Sequence, residues 1–324
     1  MMLNSRRAVI SAGLAAATAP LFSIRVRGQP RIVRVGDTAP LAINWPLHIA
    51  DRKGLYAAEG VAVETTYTNS SPALTQQTIA GSFDIGVSPI DLSIRAILGG
   101  GTLAIIGSLC RTYPFSVLVS QSIRKPTDLH GKRLILPPPK SEATIIFYRW
   151  LTANGVNLDQ VDRVFDPATP NRFAALQSGT VQGAMLTQPF DWYAAERGFR
   201  SFFNLAEHAR GFVFTTFLAR RNWLEKNGEA ARGYLRAAAK AIAFLYDPAN
   251  QEEVIRILRD ATRTDAANAL RLYDYYTKEL RPFDRLLDLP DQMINLAVGV
   301  LKEQGDFSGD EASSRFVDTR FLPV

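Results

Sequence analysis

Residues 81–107 read GSFDIGVSPIDLSIRAILGGGTLAIIG. Residues 83–87 and 103–107 are short apolar runs flanked by small residues, a pattern typical of buried strands. Residues 92–98 lie between them and have the apolar spacing of a helix. Strand, helix and strand in this order predict two parallel strands joined by a crossover helix.

The same alternation continues on both sides of this stretch and divides into two units. In the first unit, strands are predicted at residues 31–36, 61–66, 83–87 and 103–107, with helices at 47–59, after Asn69 and at 92–98. In the second unit, strands are predicted at residues 115–119, 132–136, 161–165 and 181–186, with helices at 142–153, 171–178 and from Gln188 onward. A strand at residues 212–219 returns to the first unit. The chain after Asn222 is predicted to be nearly all helix, with one apolar face, broken at Asp247-Pro248, that contains Tyr234, Leu235, Ala238, Ile242 and Leu245.

This order predicts an α/β fold of two doubly wound lobes, each a parallel sheet with helices on both faces. The predicted first lobe comprises residues 29–110 and 212–324, and the second comprises residues 111–211. The chain would cross between them near Arg111 and again near Ala209. Because ligands of open α/β sheets bind beyond the carboxyl ends of the strands, we expect a cleft lined by loops 38–45, 69–72, 88–91, 137–144 and 187–191.

Composition and charge exclude several classes of protein. Of the 324 residues, 47% are hydrophobic and 21% are charged, the balance of a globular chain with a substantial core. The net charge of +6 comes largely from Arg6, Arg7, Arg25 and Arg27, since the first 28 residues hold four of the 37 basic side chains and none of the 31 acidic ones. The rest of the chain has 33 basic and 31 acidic residues, a net charge of +2, so we expect no nucleic-acid partner.

Residues 1–28 have the features of an export signal. The pair Arg6-Arg7 precedes an apolar, alanine-rich run from Ala8 to Phe22, which is too short for a spanning helix but typical of a signal peptide. Ser5 and Val9 beside the arginine pair resemble the twin-arginine signal, with the general secretory (Sec) route and a buried N-terminal helix as alternatives. Cleavage after Gly28 would start the mature chain at Gln29.

The single cysteine is consistent with a protein in an oxidising compartment that is not attached to a lipid. The chain has one cysteine, Cys110, so an intrachain disulfide is excluded, and no cysteine stands near the leader to carry a lipid. We therefore expect a free, soluble, monomeric protein in the periplasm.

The sequence carries no signature of catalysis or of metal binding. His48, His130 and His208 lack the spacing of metal ligands, and neither a nucleophile elbow nor a phosphate-binding loop occurs. We therefore expect no enzymatic activity, no cofactor and no metal.

Short motifs follow one another along more than half of the chain, from about residue 31 to 225. They are RVG at 34–36, KGLY at 53–56, EGVAVE at 59–64, GSFDIG at 81–86, DLHGKR at 128–133 and LQSGTVQGA at 176–184, with Pro189 following. In order and spacing they resemble the periplasmic ABC-transporter solute-binding proteins of the nitrate/sulfonate/taurine (NMT1/THI5-like, SsuA-like) family. Gln182 and Gly183 depart from that family's pattern.

The resemblance implies a type II periplasmic binding protein, in which a hinge joins two lobes and the ligand binds in the cleft between them. It also implies two kinds of partner. One is a small-molecule ligand, and the other is an ABC permease and ATPase complex in the inner membrane that receives this ligand.

Candidate ligand-binding residues come from the cleft loops and from the first crossing. Hydroxyl and free N–H groups at predicted helix starts suit an anionic or polar ligand atom, aromatic rings can form stacking walls, and an arginine can pair a carboxylate or sulfonate. The candidates are Asn44, Trp45, Ser70, Ser71, Ser88, Arg111, Tyr113, Ser141, Glu142, Thr144, Gln188 and Phe190. The alternative roles are helix capping for Ser70 and Ser141 and a hinge salt bridge for Arg111.

These observations favour the capture of a small organic anion such as a sulfonate, taurine or an aromatic carboxylate. One alternative is a pyrimidine or thiamine-precursor binding protein, although Ile43-Asn44 stands where such proteins often have Asn-His. Another is a ligand-presenting partner of a chemoreceptor or two-component sensor. Neighbouring genes for a permease and an ATPase would distinguish transport from sensing.

Overall fold

The structure is a computed structural model that describes residues 31–306, 308–310 and 312–323. The export signal predicted for residues 1–28 lies outside the described residues. Within the described ranges, no helix has both the length and the apolar character needed to cross a bilayer.

The first part of the chain alternates strands and helices. Its elements are β1 (Arg31–Asp37), α1 (Trp45–Arg52), α2 (Leu55–Ala58), β2 (Val61–Tyr67), α3 (Ser71–Ala80), β3 (Ile85–Pro89), α4 (Ile90–Leu98) and β4 (Leu103–Cys110). The single helix predicted over residues 47–59 is divided into α1 and α2. Gly54 has a φ of 64°, in the left-handed region, and this interrupts the helix between them.

The middle part of the chain repeats this alternation. Its elements are β5 (Phe115–Val119), β6 (Arg133–Leu136), α5 (Glu142–Ala153), β7 (Asp162–Phe165), α6 (Thr169–Gln177), β8 (Gly183–Thr187), α7 (Phe190–Glu196), β9 (Arg200–Asn204) and α8 (Leu205–His208). Short 3-10 turns at Pro126–Leu129 and Leu158–Gln160 precede β6 and β7.

The last part of the chain is one strand followed by helices, as the sequence predicts. Its elements are β10 (Thr215–Arg220), α9 (Arg221–Tyr246), α10 (Gln251–Thr262), α11 (Ala266–Asp274), a π-helical turn at Tyr275–Glu279 and α12 (Asp291–Glu303). The predicted apolar face of α9 is confirmed, since Tyr234, Leu235, Ala238, Ile242 and Leu245 are all buried. Helix α9 ends at Tyr246, immediately before Asp247-Pro248.

Two mixed five-stranded sheets form two lobes. The first lobe has the strand order β2-β1-β3-β10-β4, and the second has the order β7-β6-β8-β5-β9. Strand β1 is parallel to β2 and β3, and β6 is parallel to β7 and β8. The prediction of purely parallel sheets is wrong, because β10 is antiparallel to β3 and β4, and β5 is antiparallel to β8 and β9.

The reversed strands follow from the way the chain passes between the lobes. Strand β4 ends at Cys110 and β5 begins at Phe115, which pairs with Thr187 at the end of β8. The return strand β10 begins at Thr215, which pairs with Pro89 at the end of β3. A strand that begins beside the carboxyl ends of its neighbours has to run in the opposite direction to them, so it is antiparallel.

Helix α12 packs on both lobes. It contacts α4 of the first lobe and α5 of the second. Its buried side chains divide in the same way, since Ile294 and Ala297 pack with Ile94 of α4, whereas Val300 belongs to the hydrophobic core of the second lobe.

Asp84 of the GSFDIG motif has a structural role in the first lobe. It is 3% exposed, and its Oδ2 accepts hydrogen bonds from the backbone N–H of Arg34 at 3.0 Å and from the Arg34 Nε at 3.1 Å. The Arg220 Nη2 lies 3.5 Å from the other carboxylate oxygen, Oδ1. This carboxylate therefore connects β1, the loop before β3, and β10.

Replacing Asp84 by asparagine is expected to lower the free energy of unfolding by about 1–3 kcal/mol, because the buried carboxylate loses its charge and no longer pairs with the mostly buried Arg220 and the half-exposed Arg34. Urea denaturation followed by circular dichroism measures the change. The matched control is Asp162→Asn, which removes an exposed ion pair with Arg133 and should cost no more than about 1 kcal/mol. Equal losses in the two variants would contradict the structural role of Asp84.

Candidate functional site

A cavity of about 370 Å³ lies between the lobes, where the carboxyl ends of the parallel strands face each other. All five loops expected from the sequence contribute lining residues. A sixth segment, residues 167–172 after β7, also lines the cavity and was not predicted. Both lobes therefore form walls of the same chamber, which suits a ligand enclosed between them.

Aromatic rings from the two chain crossings form an apolar wall of the cavity. Tyr113 and Phe115 belong to the first crossing, Phe214 belongs to the second, and all three line the cavity. The Phe214 ring centroid lies 5.0 Å from that of Tyr113 and 5.1 Å from that of Phe115. This wall can contact the apolar or aromatic body of a ligand.

Four of the twelve candidate residues line the cavity, namely Ser71, Tyr113, Ser141 and Glu142. Ser141 is also the N-cap of α5, and its Oγ accepts a hydrogen bond from the Thr144 N–H at 3.3 Å. Ser70 caps α3 in the same way by accepting from the Ala73 N–H at 3.3 Å, and it is not among the lining residues. Both serines therefore make the capping bonds that were considered as their alternative role.

Three further candidates are buried behind the cavity wall of the first lobe. Trp45 is in the core, and its indole N–H donates to the Val254 carbonyl at 3.0 Å. The Asn44 amide donates to both carboxylate oxygens of Asp37, at 2.9 and 2.8 Å. Ser88 and Thr75 share a hydrogen bond of 2.9 Å between their hydroxyls. None of the three is a lining residue.

Arg111 is held by two acids near the first crossing. Its guanidinium forms ion pairs with Asp284 and Asp288 and also donates to the Asp288 carbonyl at 3.1 Å. It does not line the cavity. The contacts thus match the salt bridge that was considered as the alternative role for this arginine.

The remaining candidates support the second-lobe loops from outside the cavity. The Thr144 hydroxyl donates to the Pro137 carbonyl at 3.2 Å, and the Gln188 amide donates to the Asp191 carboxylate at 2.8 Å. Phe190 packs with its ring centroid 5.6 Å from that of Phe173.

Two of the cations that line the cavity are paired with acids. The Arg95 Nη1 lies 2.7 Å from the Asp91 carboxylate, and its Nε lies 2.9 Å from that of Asp306. Lys140 Nζ lies 2.6 Å from the second Asp306 oxygen. Burial acts to raise the pKa of Asp306, but hydrogen bonds from Lys140 and Arg95 outweigh it and lower that pKa. Arg95 also donates to the Lys140 carbonyl at 2.8 Å, and this bond joins the two lobes directly.

Glu142 is a buried carboxyl group in the cavity wall, 1% exposed. Its Oε2 accepts a hydrogen bond from the Tyr113 hydroxyl, whereas its Oε1 has no partner among the described residues. Burial raises the pKa of Glu142 to about 8; the Tyr113 hydrogen bond opposes this rise and the charge of Asp91 adds to it. The carboxyl group is therefore mainly neutral at neutral pH.

Arg172 is the third lining cation, and sequence patterns did not identify it. It is 1% exposed, and it donates to the Met185 carbonyl at 2.6 Å, the Asp166 carbonyl at 2.7 Å and the Thr169 hydroxyl at 2.8 Å. Each of these acceptors is neutral, and no carboxylate of the described chain forms an ion pair with it. Burial lowers the pKa of Arg172 to about 9, with the charge of Asp166 acting against this change, so the side chain is still a cation at neutral pH.

The sequence feature that could have identified Arg172 is its position on helix α6. Arg172 and Leu176 are four residues apart on one helix face, and both are buried. An arginine in the core-facing row of an amphipathic helix requires acceptors or an anion, because an isolated buried charge is very costly.

Among the cations that line the cavity, Arg172 is the one that forms no ion pair with a carboxylate of the described residues. Arg95 and Lys140 are paired with Asp91 and Asp306, and the neutral Glu142 contributes no charge. Only neutral groups surround the guanidinium of Arg172 at hydrogen-bond distance. The arrangement therefore favours an anion in this cavity.

Curated relatives resemble this chain at low identity. The nitrate/nitrite binding protein NrtA of a Nostoc species is 22% identical over 295 residues, which is 82% of this chain and 66% of that protein. The bicarbonate transport ATP-binding protein CmpC of Synechococcus elongatus is 23% identical over 243 residues, 68% of this chain. The chain spans only 36% of the length of CmpC.

Solved structures share the fold across almost the whole chain. The alkanesulfonate-binding protein SsuA of Xanthomonas axonopodis, bound to MOPS, has a TM-score of 0.70 and 18% identity over 87% of this chain and 96% of its own. The periplasmic nitrate-binding protein NrtA of Synechocystis has a TM-score of 0.72 and 14% identity over 88% of this chain and 83% of its own. The fold is thus that of the periplasmic binding proteins, which confirms the predicted fold class.

A family model provides the assignment. The model described as NMT1/THI5 like matches residues 44–251, which is more than half of the chain and includes strands of both sheets. The resemblance noted from the short motifs is therefore confirmed, and the chain belongs to the NMT1/THI5-like family.

Proposed function

We propose that this protein is the periplasmic solute-binding component of an ABC importer and that it captures a small organic anion between its two lobes. Residues 1–28 would direct export, and the closed, loaded form would be recognised by a permease and ATPase complex. Family membership and the two-lobed fold support the binding role. The names of the relatives, a nitrate/nitrite binding protein and an alkanesulfonate-binding protein, support an anionic ligand.

The proposed ligand class depends mainly on one observation, the buried guanidinium of Arg172. Its five N–H groups donate three hydrogen bonds to the protein, so two remain for a ligand. A sulfonate, carboxylate or nitrate oxygen at this position would gain a charge-assisted hydrogen bond and would compensate the buried cation. Arg111 is not part of this proposal, because Asp284 and Asp288 already neutralise it.

The rest of the cavity indicates a ligand with an apolar body. The aromatic wall of Tyr113, Phe115 and Phe214 and the prolines of the second-lobe loops offer van der Waals contact with little hydrogen bonding. Ser71 and Ser141 add polar atoms at the starts of α3 and α5. Together these groups favour an alkyl or aryl sulfonate or an aromatic carboxylate over a small inorganic ion.

The competing ligand class is a pyrimidine or thiamine precursor. At neutral pH a pyrimidine is uncharged and binds through stacking and neutral hydrogen bonds, which would leave the charge of Arg172 uncompensated, and a protonated precursor would in addition require an ionised acid in the cavity. Asp91 is already paired with Arg95, and Glu142 is mainly neutral at neutral pH. The positive charge of Arg172 is therefore unfavourable for this class.

A thermal-shift screen of the purified protein tests the proposal. The panel contains benzenesulfonate, ethanesulfonate, taurine, nitrate, benzoate and pyrimidines, each in excess. A ligand present at a hundred times its Kd adds about 2.7 kcal/mol to the free energy of unfolding, which is a clear rise in Tm. We expect the sulfonates or benzoate to stabilise the protein. Stabilisation by pyrimidines alone would contradict the anion proposal.

Replacing Arg172 by glutamine is expected to weaken binding of the anion found in the screen by about 2–5 kcal/mol, a factor of about 30 or more. The cause is loss of the buried positive charge, and isothermal titration calorimetry measures it. Urea unfolding of the same variant shows whether the fold is intact. The matched control is Arg133→Gln, which alters an exposed arginine of the same lobe and should leave the affinity unchanged. Equal affinities in the Arg172 variant and the wild type would contradict the proposed anion site.

A further inference from the structure

Glu142 occupies an unusual place for a carboxyl group in an anion-binding cavity. It is the first residue of α5, it lines the cavity, and it is 1% exposed. One of its oxygens is bonded to Tyr113 and the other, Oε1, is buried without a partner among the described residues. A buried polar atom that lacks a partner is costly, so a ligand atom that forms a hydrogen bond with Oε1 would remove this cost.

The direction of the Tyr113 hydrogen bond determines what Oε1 can do. The Tyr113 hydroxyl donates to Oε2, which is therefore the accepting oxygen of the carboxyl group. With the Tyr113 hydroxyl as the donor to Oε2, a protonated Glu142 carries its proton on Oε1, and this atom becomes a hydrogen-bond donor. The pKa of Tyr113 is itself raised well above its usual value by burial and by Glu142, so the phenol keeps its proton.

Several charged groups set the ionisation of Glu142. Burial raises its pKa to about 8 and the charge of Asp91 on α4 acts in the same direction, whereas Tyr113, Arg149 on α5 and Arg95 on α4 oppose the rise. Arg172 and Lys140 are the other charged residues that line the same cavity. At neutral pH the neutral acid thus predominates, and it becomes an anion as the pH rises through about 8.

We propose that Glu142 is a specificity-determining residue, which as a neutral acid donates a hydrogen bond from Oε1 to an acceptor oxygen of the anion anchored at Arg172. The inference rests on the proposed function. A carboxylic acid in this position selects ligands that present an acceptor and no proton, such as sulfonates and carboxylates. Loss of its proton replaces the donor by a negative charge and repels the same ligands, so the affinity for anions depends on pH.

Calorimetric titration with benzenesulfonate between about pH 6 and pH 9.5 tests this role, because the sulfonate keeps one charge over that range. The variants are Glu142→Gln, whose amide keeps a donor and cannot ionise, and Glu252→Gln. Glu252 is an exposed glutamate in the first turn of α10 and serves as the matched control. Because burial also lowers the pKa of Arg172, the informative quantity is the ratio of wild-type Kd to that of Glu142→Gln, in which any effect of Arg172 is common to both proteins.

We expect this ratio to stay near one below about pH 7 and to rise about tenfold per pH unit above about pH 8, as linkage to one proton requires. The Glu252→Gln protein should follow the wild type throughout. A constant ratio, or a Glu142→Gln protein that binds far more weakly at pH 6, would overturn the inference while leaving the anion site intact. Absence of binding of benzenesulfonate, ethanesulfonate and benzoate in every variant would instead contradict the proposed function.

Two further measurements test the proposal if the Glu142→Gln variant folds poorly. In Tyr113→Phe, the hydrogen bond that lowers the pKa of Glu142 is lost, so the pH at which benzenesulfonate affinity falls should move upward. In the ligand-free protein, a raised pKa means that the folded state binds the proton more tightly than the unfolded state. The stability of the wild type relative to Glu142→Gln should therefore decrease as the pH rises from about 4.5 through about 8. An unchanged pH midpoint in the tyrosine variant, or no such decrease, would also overturn the proposal.

Discussion

The chain passes between the two sheets where the carboxyl ends of their parallel strands face each other, and most features of the protein depend on this constraint. Strand β4 ends at this place, so β5 has to leave it in the opposite direction, and β10 does the same on the return. The loops that follow the remaining strands are then directed toward one another. The two crossings supply the aromatic wall, and the loops supply the caps and charges of the cavity. The same geometry makes binding a process that involves both lobes at once, since no single sheet edge encloses the ligand.

The electrostatics of this chamber are the basis on which an anion is proposed as the ligand. Paired charges such as Arg95 with Asp91 and Lys140 with Asp306 hold the walls together and contribute little net potential. Arg172 differs because its partners are neutral oxygens, so its charge remains available inside a low-dielectric space. Glu142 is mainly protonated at neutral pH, so it adds no negative charge to the cavity. The cavity thus combines one cation, one neutral acid and an apolar wall, a set of groups that fits an organic anion better than a base.

The sequence was sufficient for the features that depend on local pattern. Apolar runs and helix caps marked most strands and helices, and the order of short motifs identified the family. The reversed direction of β5 and β10 depends on pairing with distant strands, and no local pattern reports it. Several candidate site residues also make contacts with residues that are far away in the sequence. Arg111 meets Asp284 and Asp288, which are 173 and 177 residues away, and the Trp45 indole bonds to a carbonyl 209 residues away. Arg172 was missed because its acceptors, the Met185 carbonyl on β8 among them, become evident only in the folded lobe.

In the proposed complex, the ligand anion contacts the buried guanidinium of Arg172 while both lobes enclose it. A crystal structure of the protein with bound benzenesulfonate tests this directly. We expect a sulfonate oxygen within about 3 Å of an Arg172 nitrogen, a second sulfonate oxygen at Glu142, and the phenyl ring against the aromatic wall. A sulfonate bound at Lys140 and Arg95, or outside the cavity with Arg172 bonded only to the protein, would contradict it.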